Sequence, residues 1–459
     1  MSNPGAADAT EITSTRQLAA HIAVGCKPAS AFTIGTEHEK FGFRRPGRTE
    51  PAFSPPAYAP DGIRSVLEGI AAGGWEPIED HGNPIGLSRG DASVSLEPAG
   101  QLELSGGLMP DLHATRAEIE AHYAEVRAAA APLGLGFSPL GFHPTARREE
   151  MPWMPKGRYK IMRRYMPLVG SMGLDMMTRT CTVQVNLDYA SEADMVAKLQ
   201  VALALQPLAT ALFANSPFTE GRPNGFQSYR GHVWTDTDNV RSGIHPVFFE
   251  DGFGFERYAD WLVDEVPMYF VHRGGEYIDL AGRSFRHFMD GKLDNAAAGT
   301  ATVGDFADHM TTVFTDVRLK RFLEMRGADA GTLEMMVAQS ALWVGLLYDP
   351  AALAAAAALV ARHGWQAFAA LRPLVPRQGL DTPFAGGTLR DLGRDVVAIA
   401  ADGLRARARL DAAGQDERGH LAPLEAIVAG GPTQAEAWLA LYHGDWREDA
   451  SRIFAMSEI

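Results

Sequence analysis

The chain has 459 residues, of which 46% are hydrophobic and 21% are charged, values that are ordinary for a soluble globular protein. Its 42 Lys and Arg residues and 56 Asp and Glu residues give a formal net charge of −14, which disfavours nucleic acid as the main partner. The first 15 residues are polar and lack the pattern of a signal peptide, and no apolar run reaches the about 20 residues that a bilayer needs. We therefore expect a cytoplasmic protein without a membrane partner.

Hydrophobic periodicity and turn residues predict the elements of the chain. In chain order they are a helix over 15–25, a strand over 31–45, a helix over 61–73, strands within 93–105 with a bend at 98–100, a helix of about 23 residues from Asp111, an irregular loop and helix over 151–170, a strand over 179–189, a long helix from Ser191 broken near Pro207, two short strands within 264–290, a strand over 313–326, and helices over most of 333–459. This order predicts an α+β fold with an antiparallel sheet. We expect a single catalytic unit over 1–459, with the sheet and active site in 15–348 and a mainly helical part, 349–459, packed on it.

Glutamates on the predicted strands are the strongest chemical signal. Glu37 and Glu39 are two residues apart, so on a strand they share one face. Glu103 shares a face with Gln101, and Glu97 joins them if the bend preserves the alternation. Like-charged carboxylates on one face need a neutralising partner, and Mg²⁺ takes oxygen ligands from carboxylates and phosphates. The alternative is a solvated sheet face.

The segment RLKRFLEMRG over 318–327 carries a second charged set. As one strand, it would place Arg318, Lys320, Phe322, Glu324 and Arg326 on the same face. Burying these charges without partners would be costly. A metal ligand at Glu324 flanked by phosphate-pairing cations gives each charge a partner, because the guanidinium fork matches a phosphate. The alternative is an exposed basic edge strand.

Two further segments contain candidate ligand contacts. Residues 154–167 include Lys156 and Arg158, which would close over a nucleotide, bind an anionic substrate, or form only a basic surface turn. Residues 229–243 include Arg230, Trp234 and Arg241, cations and donors suited to the carboxylate of an amino acid. The chain has no G-x-x-x-x-G-K-[ST] loop and no G-x-S-x-G elbow. Phosphate binding would therefore depend on metals and arginines.

The two cysteines, Cys26 and Cys181, are too few and too far apart for a zinc pattern or a disulfide framework. A reducing compartment fits this composition. Cys181 lies in the middle of a predicted strand among Thr and Val residues, which favours a packed structural role over a nucleophilic one.

Several long segments of unusual composition resemble the plant and proteobacterial type of glutamate–cysteine ligase. They are GTEHEKFGF (35–43), SLEPAGQLELSG (95–106), MPKGRYKIMRRYMP (154–167), GLDMMTRTCTVQVNLDY (173–189), ANSPFTEGRPNGF (214–226), WTDTDNVRSG (234–243), VPMYFVHR (266–273) and RLKRFLEMRGAD (318–329). The likeness runs in order from about Gly25 to the C-terminus. It implies the glutamine-synthetase-like carboxylate–amine ligase fold, a curved antiparallel sheet that forms a funnel with helices outside.

The resemblance also implies an activity and a set of site residues. The activity is ATP-dependent ligation of the γ-carboxylate of glutamate to cysteine through a γ-glutamyl phosphate, the first step of glutathione biosynthesis. Two or three Mg²⁺ ions are implied at the acidic positions Glu37, Glu39, Glu97, Glu103 and Glu324. The resemblance implies a phosphate contact at Arg326, ATP contacts among Lys156, Arg158 and Gln101, and substrate contacts at Arg241 and Trp234. The charged segments themselves add Arg318 as a second catalytic arginine beside Arg326, Lys320 for ATP and Arg230 for the substrate.

Three alternatives remain open at this point. A related ligase would activate glutamate but accept another amine, a phosphagen-type kinase would stop at phosphoryl transfer, and an inert relative would only bind metabolites. The family pattern also differs at one position. Val337 stands where the plant enzymes have a cysteine, so we expect no plant-type disulfide switch, and the chain is expected to be a monomer or a homodimer.

Overall fold

The computed structural model describes residues 8–47 and 51–459, and a large antiparallel sheet is its central feature. Within these residues the sheet has nine strands, which are β1 (Ile34–Arg44), β2 (Glu76–Asp80), β3 (Asn83–Arg89), β4 (Ala92–Leu96), β5 (Leu102–Ser105), β6 (Leu135–Ser138), β7 (Thr182–Leu187), β8 (Val317–Leu319) and β9 (Leu323–Asp329). Their order is β8-β9-β7-β1-β5-β4-β3-β2, and β6 pairs with β1 beside this path. The α+β prediction with an antiparallel sheet is therefore confirmed.

Strand β1 organises the sheet because it pairs with three neighbours. Its first half pairs with β7 through Ile34–His38, its middle pairs with β5 through Glu37–Lys40, and its end pairs with β6 through Phe41–Arg44. All 11 residues of β1 are buried. A strand buried on both faces normally carries few charges, so the glutamates of β1 must have specific partners.

The two faces of the sheet differ in chemistry because side chains alternate along each strand. On β7, Val183, Val185 and Leu187 belong to the main hydrophobic cluster. On the other face of the same strand, Thr182, Gln184 and Asn186 are polar. The apolar face packs against helices, whereas the polar face lines a cleft.

Helices surround the sheet and make up most of the C-terminal quarter. In chain order they are α1 (Thr15–Ala23), α2 (Ile63–Ala71), α3 (Leu112–Ala130), α4 (Gly157–Val169), α5 (Gly173–Arg179), α6 (Glu192–Leu212), α7 (Tyr229–Val233), α8 (Phe255–Asp264), α9 (Phe285–Met289), α10 (Val303–Thr311), α11 (Leu333–Leu347), α12 (Pro350–His363), α13 (Trp365–Ala369), α14 (Val375–Gln378), α15 (Leu389–Arg407), α16 (Ala422–Val428), α17 (Gln434–His443) and α18 (Arg452–Ser457). Helices α3, α6 and α11 pack against strands of the main sheet.

Short ladders outside the main sheet complete the strands. They are Phe218–Thr219 with Arg222–Pro223, Ser242–Gly243 with Phe314–Thr315, Phe270–Arg273 with Glu276–Asp279, and Pro383–Phe384 with Gly387–Thr388. The two short strands predicted within 264–290 are thereby confirmed.

Helix α6 corrects one prediction. The sequence predicts a break near Pro207, but the helix continues from Glu192 to Leu212 through this proline. A proline inside a helix removes one hydrogen bond, and the burial of the surrounding apolar residues offsets this loss. Among the described residues, α6 is long and apolar enough to cross a membrane, but 78% of its apolar window is buried inside the protein. It is a core helix.

The segment 313–326 is predicted as one strand, but in the structure it includes residues of two separate strands, β8 and β9. Strands β8 and β9 form a hairpin, and Lys320 donates its backbone N–H to the carbonyl of Phe322 across the turn. Arg318 therefore lies directly opposite Glu324 on the neighbouring strand, and the two residues are not on the same strand. Periodicity did not detect strands β2, β3 and β6 either. The bend at 98–100 is confirmed, with Gly100 at φ +85° between β4 and β5.

Helices α11 and α15 approach each other closely through two glycines. A Cβ atom on Gly403 would lie 1.9 Å from the carbonyl oxygen of Gly345, and a Cβ on Gly345 would lie 2.3 Å from that of Ala400. Both obstacles are backbone atoms, so only a shift of one helix could relieve the contact. The absence of a side chain therefore sets the distance between these helices.

We predict that Gly403→Ala lowers the melting temperature, because overpacking of this kind costs about 1–3 kcal/mol. In an open helix the same change would instead stabilise by up to about 1 kcal/mol. Gly419→Ala is the matched control, since a Cβ at Gly419 meets no atom within 4 Å. Equal melting temperatures for Gly403→Ala and the unmodified protein would contradict this packing.

Candidate functional site

A cleft on the polar face of the sheet collects most of the charged residues that the sequence singles out. Strands β1, β5, β7, β8 and β9, the bend after β4, helices α4, α5 and α7 and a loop all contribute to it. Its lining residues are Glu37, Glu39, Glu97, Pro98, Gln101, Glu103, Tyr159, Met162, Met176, Met177, Thr180, Thr182, Gln184, Arg230, Trp234, Phe314, Arg318 and Arg326.

Three glutamates from different segments form an acid cluster in this cleft, which we define as Glu39, Glu97 and Glu103. Glu39 and Glu103 lie opposite each other on β1 and β5. Glu97 follows β4 and returns toward β5 because the bend is closed by backbone hydrogen bonds, Glu97 N–H to Gln101 O and Gly100 N–H to Glu97 O, both 2.9 Å. The bend therefore places Glu97 beside Glu103.

Donors of the described residues reach Glu39 and Glu103 in this cluster. Glu39 Oε2 accepts from the Thr182 N–H at 2.9 Å, and Glu103 Oε2 accepts from the Ser95 hydroxyl at 2.8 Å. Within the described residues, Glu97 Oε1 is buried without a hydrogen-bond partner. Burial, together with repulsion by Glu103, raises the pKa of Glu97 to about 7. Burial, and then the charges of Glu97 and Glu103, also raise the pKa of Glu39 well above its ordinary value.

Such a cluster fits a hard divalent cation. A buried carboxylate oxygen without a donor and repelling neighbours are both satisfied by a positive ion bound to oxygen. In the part of the chain that the structure describes, no group of three or more His, Cys, Asp or Glu side chains is arranged to hold a metal ion by itself. Mg²⁺ does not need one, because it is usually held by one or two carboxylates, water and substrate phosphates.

Across the cleft, Glu324 is bound by arginines. Arg318 donates to it through Nε at 2.5 Å and Nη2 at 2.8 Å, and Arg326 donates through Nη1 at 3.1 Å. Although burial raises it, the charges of Arg318, Lys320 and Arg326 hold the pKa of Glu324 well below its usual range. Glu324 thus orients two guanidinium groups toward the cleft, and most of its capacity to accept hydrogen bonds is already used.

Glu37 lies between the acid cluster and this basic group. It accepts from the Asn186 side-chain amide at 2.7 Å. It also lines a second pocket at the far end of the same sheet face, together with Lys320, Phe322 and Asp188. We call this second space the far pocket.

The structure separates the residues predicted to contact ATP. Lys320 lines the far pocket. Lys156 caps helix α4 on the other side, where Arg158, Glu97 and Glu103 are its charged neighbours. Burial, and then Arg158, lower the pKa of Lys156 to about 8. The three cations therefore do not converge on one phosphate chain.

Gln101 lines the cleft, but its amide is used by the protein itself. It accepts from the Ala99 N–H at 3.0 Å and donates to the carbonyls of Met177 at 3.2 Å and Thr180 at 3.1 Å. These bonds fix the bend against helix α5 and the start of β7. Gln101 therefore supports the position of Glu97.

The residues predicted to contact the substrate also separate. Arg230 and Trp234 line the cleft, whereas Arg241 does not. Arg241 is completely buried, with its guanidinium bonded to Asp238 at 2.7 Å and to Thr312, and its Cζ atom lies 3.9 Å from the ring centre of Tyr269. Its donors hold together the loop that carries Trp234.

Sequence reasoning missed several residues of the site. Thr182, Gln184 and Asn186 follow strict alternation on β7, and this pattern could have placed them beside Glu37 and Glu39. A further pocket opens beside Arg230 and contains Asp316 and Arg372. Arg372 comes from the C-terminal helical region, and no local signal marks it.

The acid cluster gives a stability prediction for the metal-free protein. The pKa of Glu97 in the folded state is about 7 and its ordinary value is 4.5, so the folded state binds the proton more tightly than the unfolded state. Stability therefore falls as pH rises from 4.5 to about 7, by about 3 kcal/mol at most. Glu97→Gln should raise the melting temperature at pH 8 in a chelator, and the gain should shrink toward pH 5.

Glu324→Gln is the contrasting variant. Removing its charge leaves Arg318 buried without a counter-ion, and breaking such a pair costs about 3–5 kcal/mol. Its melting temperature should fall at every pH at which the protein stays folded. For Glu97→Gln, a melting temperature below that of the unmodified protein at pH 8 would contradict the absence of a donor at Glu97 Oε1.

Comparison with known proteins agrees with this site. The family model for glutamate–cysteine ligase family 2 matches residues 33–456. Glutamate–cysteine ligase A, chloroplastic, of Oryza sativa subsp. indica is 48% identical over 446 residues, covering 97% of this chain and 88% of that protein. The chloroplastic glutamate–cysteine ligase of Arabidopsis thaliana is 49% identical over 447 residues, covering 97% and 83%.

Structural comparison shows the fold. A crystal structure of glutamate–cysteine ligase from Francisella tularensis in complex with AMP superimposes with a TM-score of 0.56 at 11% identity, covering 93% of this chain and 87% of that one. The predicted carboxylate–amine ligase fold is thereby confirmed. The predicted cytoplasmic location is wrong by the same set of comparisons, because the similar plant relatives are named as chloroplastic enzymes.

The resemblance that the sequence motifs indicate is confirmed over nearly the whole chain. It extends through the strands that carry the acid cluster and the hairpin that carries Glu324. The chain belongs to glutamate–cysteine ligase family 2, and it is a ligase.

Proposed function

We propose that this chain forms γ-glutamylcysteine in the cleft, by ATP-dependent activation of the γ-carboxylate of glutamate followed by attack of the amine of cysteine. ATP-dependent joining of these two amino acids is the activity of its family. The proposal adds where each step takes place and which side chains carry it. The observation that supports it is the acid cluster of Glu39, Glu97 and Glu103 facing Arg318 and Arg326.

The acid cluster is proposed to hold Mg²⁺, with Glu37 and Glu324 completing the ligands where the ions meet the phosphates. Two or three ions would fit five carboxylates spread over three strands and the bend. Bound there, Mg²⁺ would neutralise charge on the transferring phosphoryl group. Glu97 Oε1, buried and without a donor in the described residues, is the atom that gains most from such an ion.

The first chemical step needs cations at the phosphoryl group. An oxygen of the γ-carboxylate attacks the terminal phosphorus of ATP, the bond to ADP breaks, and an acyl phosphate forms. Arg326, oriented by Glu324 at 3.1 Å and by Gln184, is proposed to contact the transferring oxygens. Arg318 stays bonded to Glu324 and keeps this geometry fixed. Preorganised donors of this kind stabilise charge as it develops.

In the second step the amine of cysteine attacks the acyl carbon and phosphate leaves with the bonding electron pair. The attacking nitrogen gives up a proton as the amide forms. No protein nucleophile is required. Met162, Met176 and Met177 form a soft, apolar wall of the cleft, which suits a thiol side chain.

The nucleotide is proposed to enter from the far pocket, where Lys320 lies beside Glu37 at the end of the cleft. Lys156 and Arg158, assigned to ATP by the family pattern, are proposed to act instead as counter-charges of the acid cluster. The far pocket and the Arg230 side of the cleft then serve different substrates, with the metal site between them.

The proposal predicts that phosphate release from ATP requires Mg²⁺ and glutamate and is fastest with cysteine. The assay compares cysteine with other small amines and identifies the dipeptide by mass. Turnover with another amine would keep the mechanism and change the acceptor. Absence of glutamate-dependent turnover with any amine would contradict the proposal.

Arg326→Lys should lower kcat by about a hundredfold or more, because a point charge cannot replace the guanidinium fork. Arg286→Lys is the matched control, since Arg286 makes a similar two-point contact with Asp264 at 2.7 and 2.9 Å on the surface. Near-normal turnover in Arg326→Lys would exclude its contact with the transferring phosphoryl group.

A further inference from the structure

Strand β9 contains a β-bulge at the point where Arg326 extends into the cleft. The register of β9 against β7 shifts between Met325 and Ala328. Two residues of β9, Arg326 and Gly327, therefore lie opposite a single residue of β7, Gln184. The extra residue resets the alternation, so Met325 and Ala328 both belong to the hydrophobic core while Arg326 between them lines the cleft. The bulge thus decides where the Arg326 side chain begins.

Helix α6 supplies hydrogen bonds to this bulge. Gln206 Oε1 accepts from the Gly327 N–H at 2.8 Å. One turn further along the same face of the helix, Thr210 Oγ1 donates to the Gly327 carbonyl at 3.1 Å. A regular strand pairs these backbone groups with a neighbouring strand. Here both of them are bonded to side chains of α6.

Gly327 meets Gln206 without space for a side chain. A Cβ atom on Gly327 would lie 2.1 Å from Gln206 Oε1 and 3.2 Å from its Cδ atom. The φ angle of Gly327 is not positive, so its backbone conformation is open to other residues. The obstacle to a side chain at this position is therefore the Gln206 amide itself.

Packing alone does not account for an amide at position 206. Gln206 is 1% exposed and lies in α6 among buried apolar residues such as Leu205 and Leu208. Among the described residues, its Nε2 atom is buried without a hydrogen-bond partner. An unpaired buried donor costs free energy, and a methionine of the same length would avoid that cost. The bond from Gly327 is what the amide gives in return.

The position of Gly327 is transmitted to Arg326, because the two residues share a planar peptide unit. Arg326 Nη1 donates to Gln184 Oε1 and, at 3.1 Å, to Glu324 Oε1. The Arg326 N–H donates to the carbonyl of Asp316 at 3.0 Å. These bonds orient the guanidinium only if its backbone starts from the right place. A displaced bulge would move the guanidinium away from both acceptors.

We infer that Gln206 is a positioning residue, which fixes the bulge at Gly327 and thereby the place of the Arg326 guanidinium in the cleft. Gln206 is not among the residues that line the cleft, so it acts through Arg326. This inference rests on the proposed function, in which Arg326 contacts the transferring phosphoryl group. It makes the core helix α6 part of the catalytic geometry.

The variant Gln206→Met tests this role, because it keeps the length of the side chain and removes the acceptor. It should lower kcat about ten- to a hundredfold, since a misplacement of about 1 Å can cost this much. The KM values for glutamate, cysteine and ATP should stay within about twofold, as expected when a contact made only in the transition state is lost. The melting temperature should change little, because the unpaired Nε2 is removed together with the bond.

Gln200→Met is the matched control on the same helix. Gln200 Nε2 donates to the carbonyl of Phe248 at 2.9 Å, a bond that does not reach the bulge. This variant should keep kcat within about twofold of the unmodified protein. A fall in kcat that accompanies a lower melting temperature equally in Gln206→Met and Gln200→Met would overturn the inference.

Gly327→Ala disturbs the same contact from the other side. Its Cβ would displace the Gln206 amide, so kcat should fall while the KM values are preserved. Gln206→Ala combined with Gly327→Ala should have a kcat no lower than the worse single variant, because both changes act on one contact. Additive losses in the double variant, or unchanged kcat in Gln206→Met and Gly327→Ala, would overturn the inference.

A crystal structure of Gln206→Met gives a readout that does not depend on turnover. Displacement of the Arg326 guanidinium from Gln184 and Glu324 would support the inference, and an unchanged Arg326 would overturn it. If the unmodified protein ligates no amine, the proposed function fails, and this structure still decides whether Gln206 positions Arg326. The same comparison in Gly327→Ala decides it if Gln206→Met folds poorly.

Discussion

The structure depends on the burial of several carboxylates on one face of an antiparallel sheet. Glu39, Glu97 and Glu103 are within mutual electrostatic range; Glu39 accepts from the N–H of Thr182, and Glu103 accepts from the hydroxyl of Ser95. Burial of like charges is unfavourable unless a counter-charge is bound. In the proposed function, binding of a divalent cation and of the phosphates it accompanies offsets this loss of stability.

On the opposite side of the cleft, the buried carboxylate is neutralised by arginines of the protein itself. The β8–β9 hairpin sets Arg318 against Glu324, and Glu324 in turn orients Arg326. In the proposed function, the acidic side of the cleft holds the metal, whereas the charges of the basic side are already neutralised within the protein. Arg230 on helix α7 and Arg372 extend the basic side into the further pocket beside Arg230. In the proposed function, this polarity lets an acidic chain bind a nucleotide and an amino acid together.

Local sequence patterns predicted those parts of the site in which alternation alone decides the geometry. Glu37 and Glu39 share a face because they lie on one regular strand, and the Pro98–Gly100 bend marks the return that brings Glu97 to Glu103. The β8–β9 turn was missed because Lys320, Arg321 and Phe322 include neither Gly nor Pro. The contact of Asp316 with Arg372 joins residues 56 positions apart, and only tertiary packing creates it. Arg241 was assigned by its charge, which cannot distinguish a ligand contact from an internal one.

The most direct test of the acid cluster is the binding of Mn²⁺, followed by electron paramagnetic resonance, to the protein without nucleotide. The account predicts that Glu97→Gln weakens or removes at least one bound Mn²⁺ at pH 8. Glu436→Gln, which changes a helix-capping carboxylate far along the chain, should bind Mn²⁺ as the unmodified protein does. Identical Mn²⁺ binding by Glu97→Gln and the unmodified protein would contradict the central claim that the buried carboxylates of the cleft hold the metal.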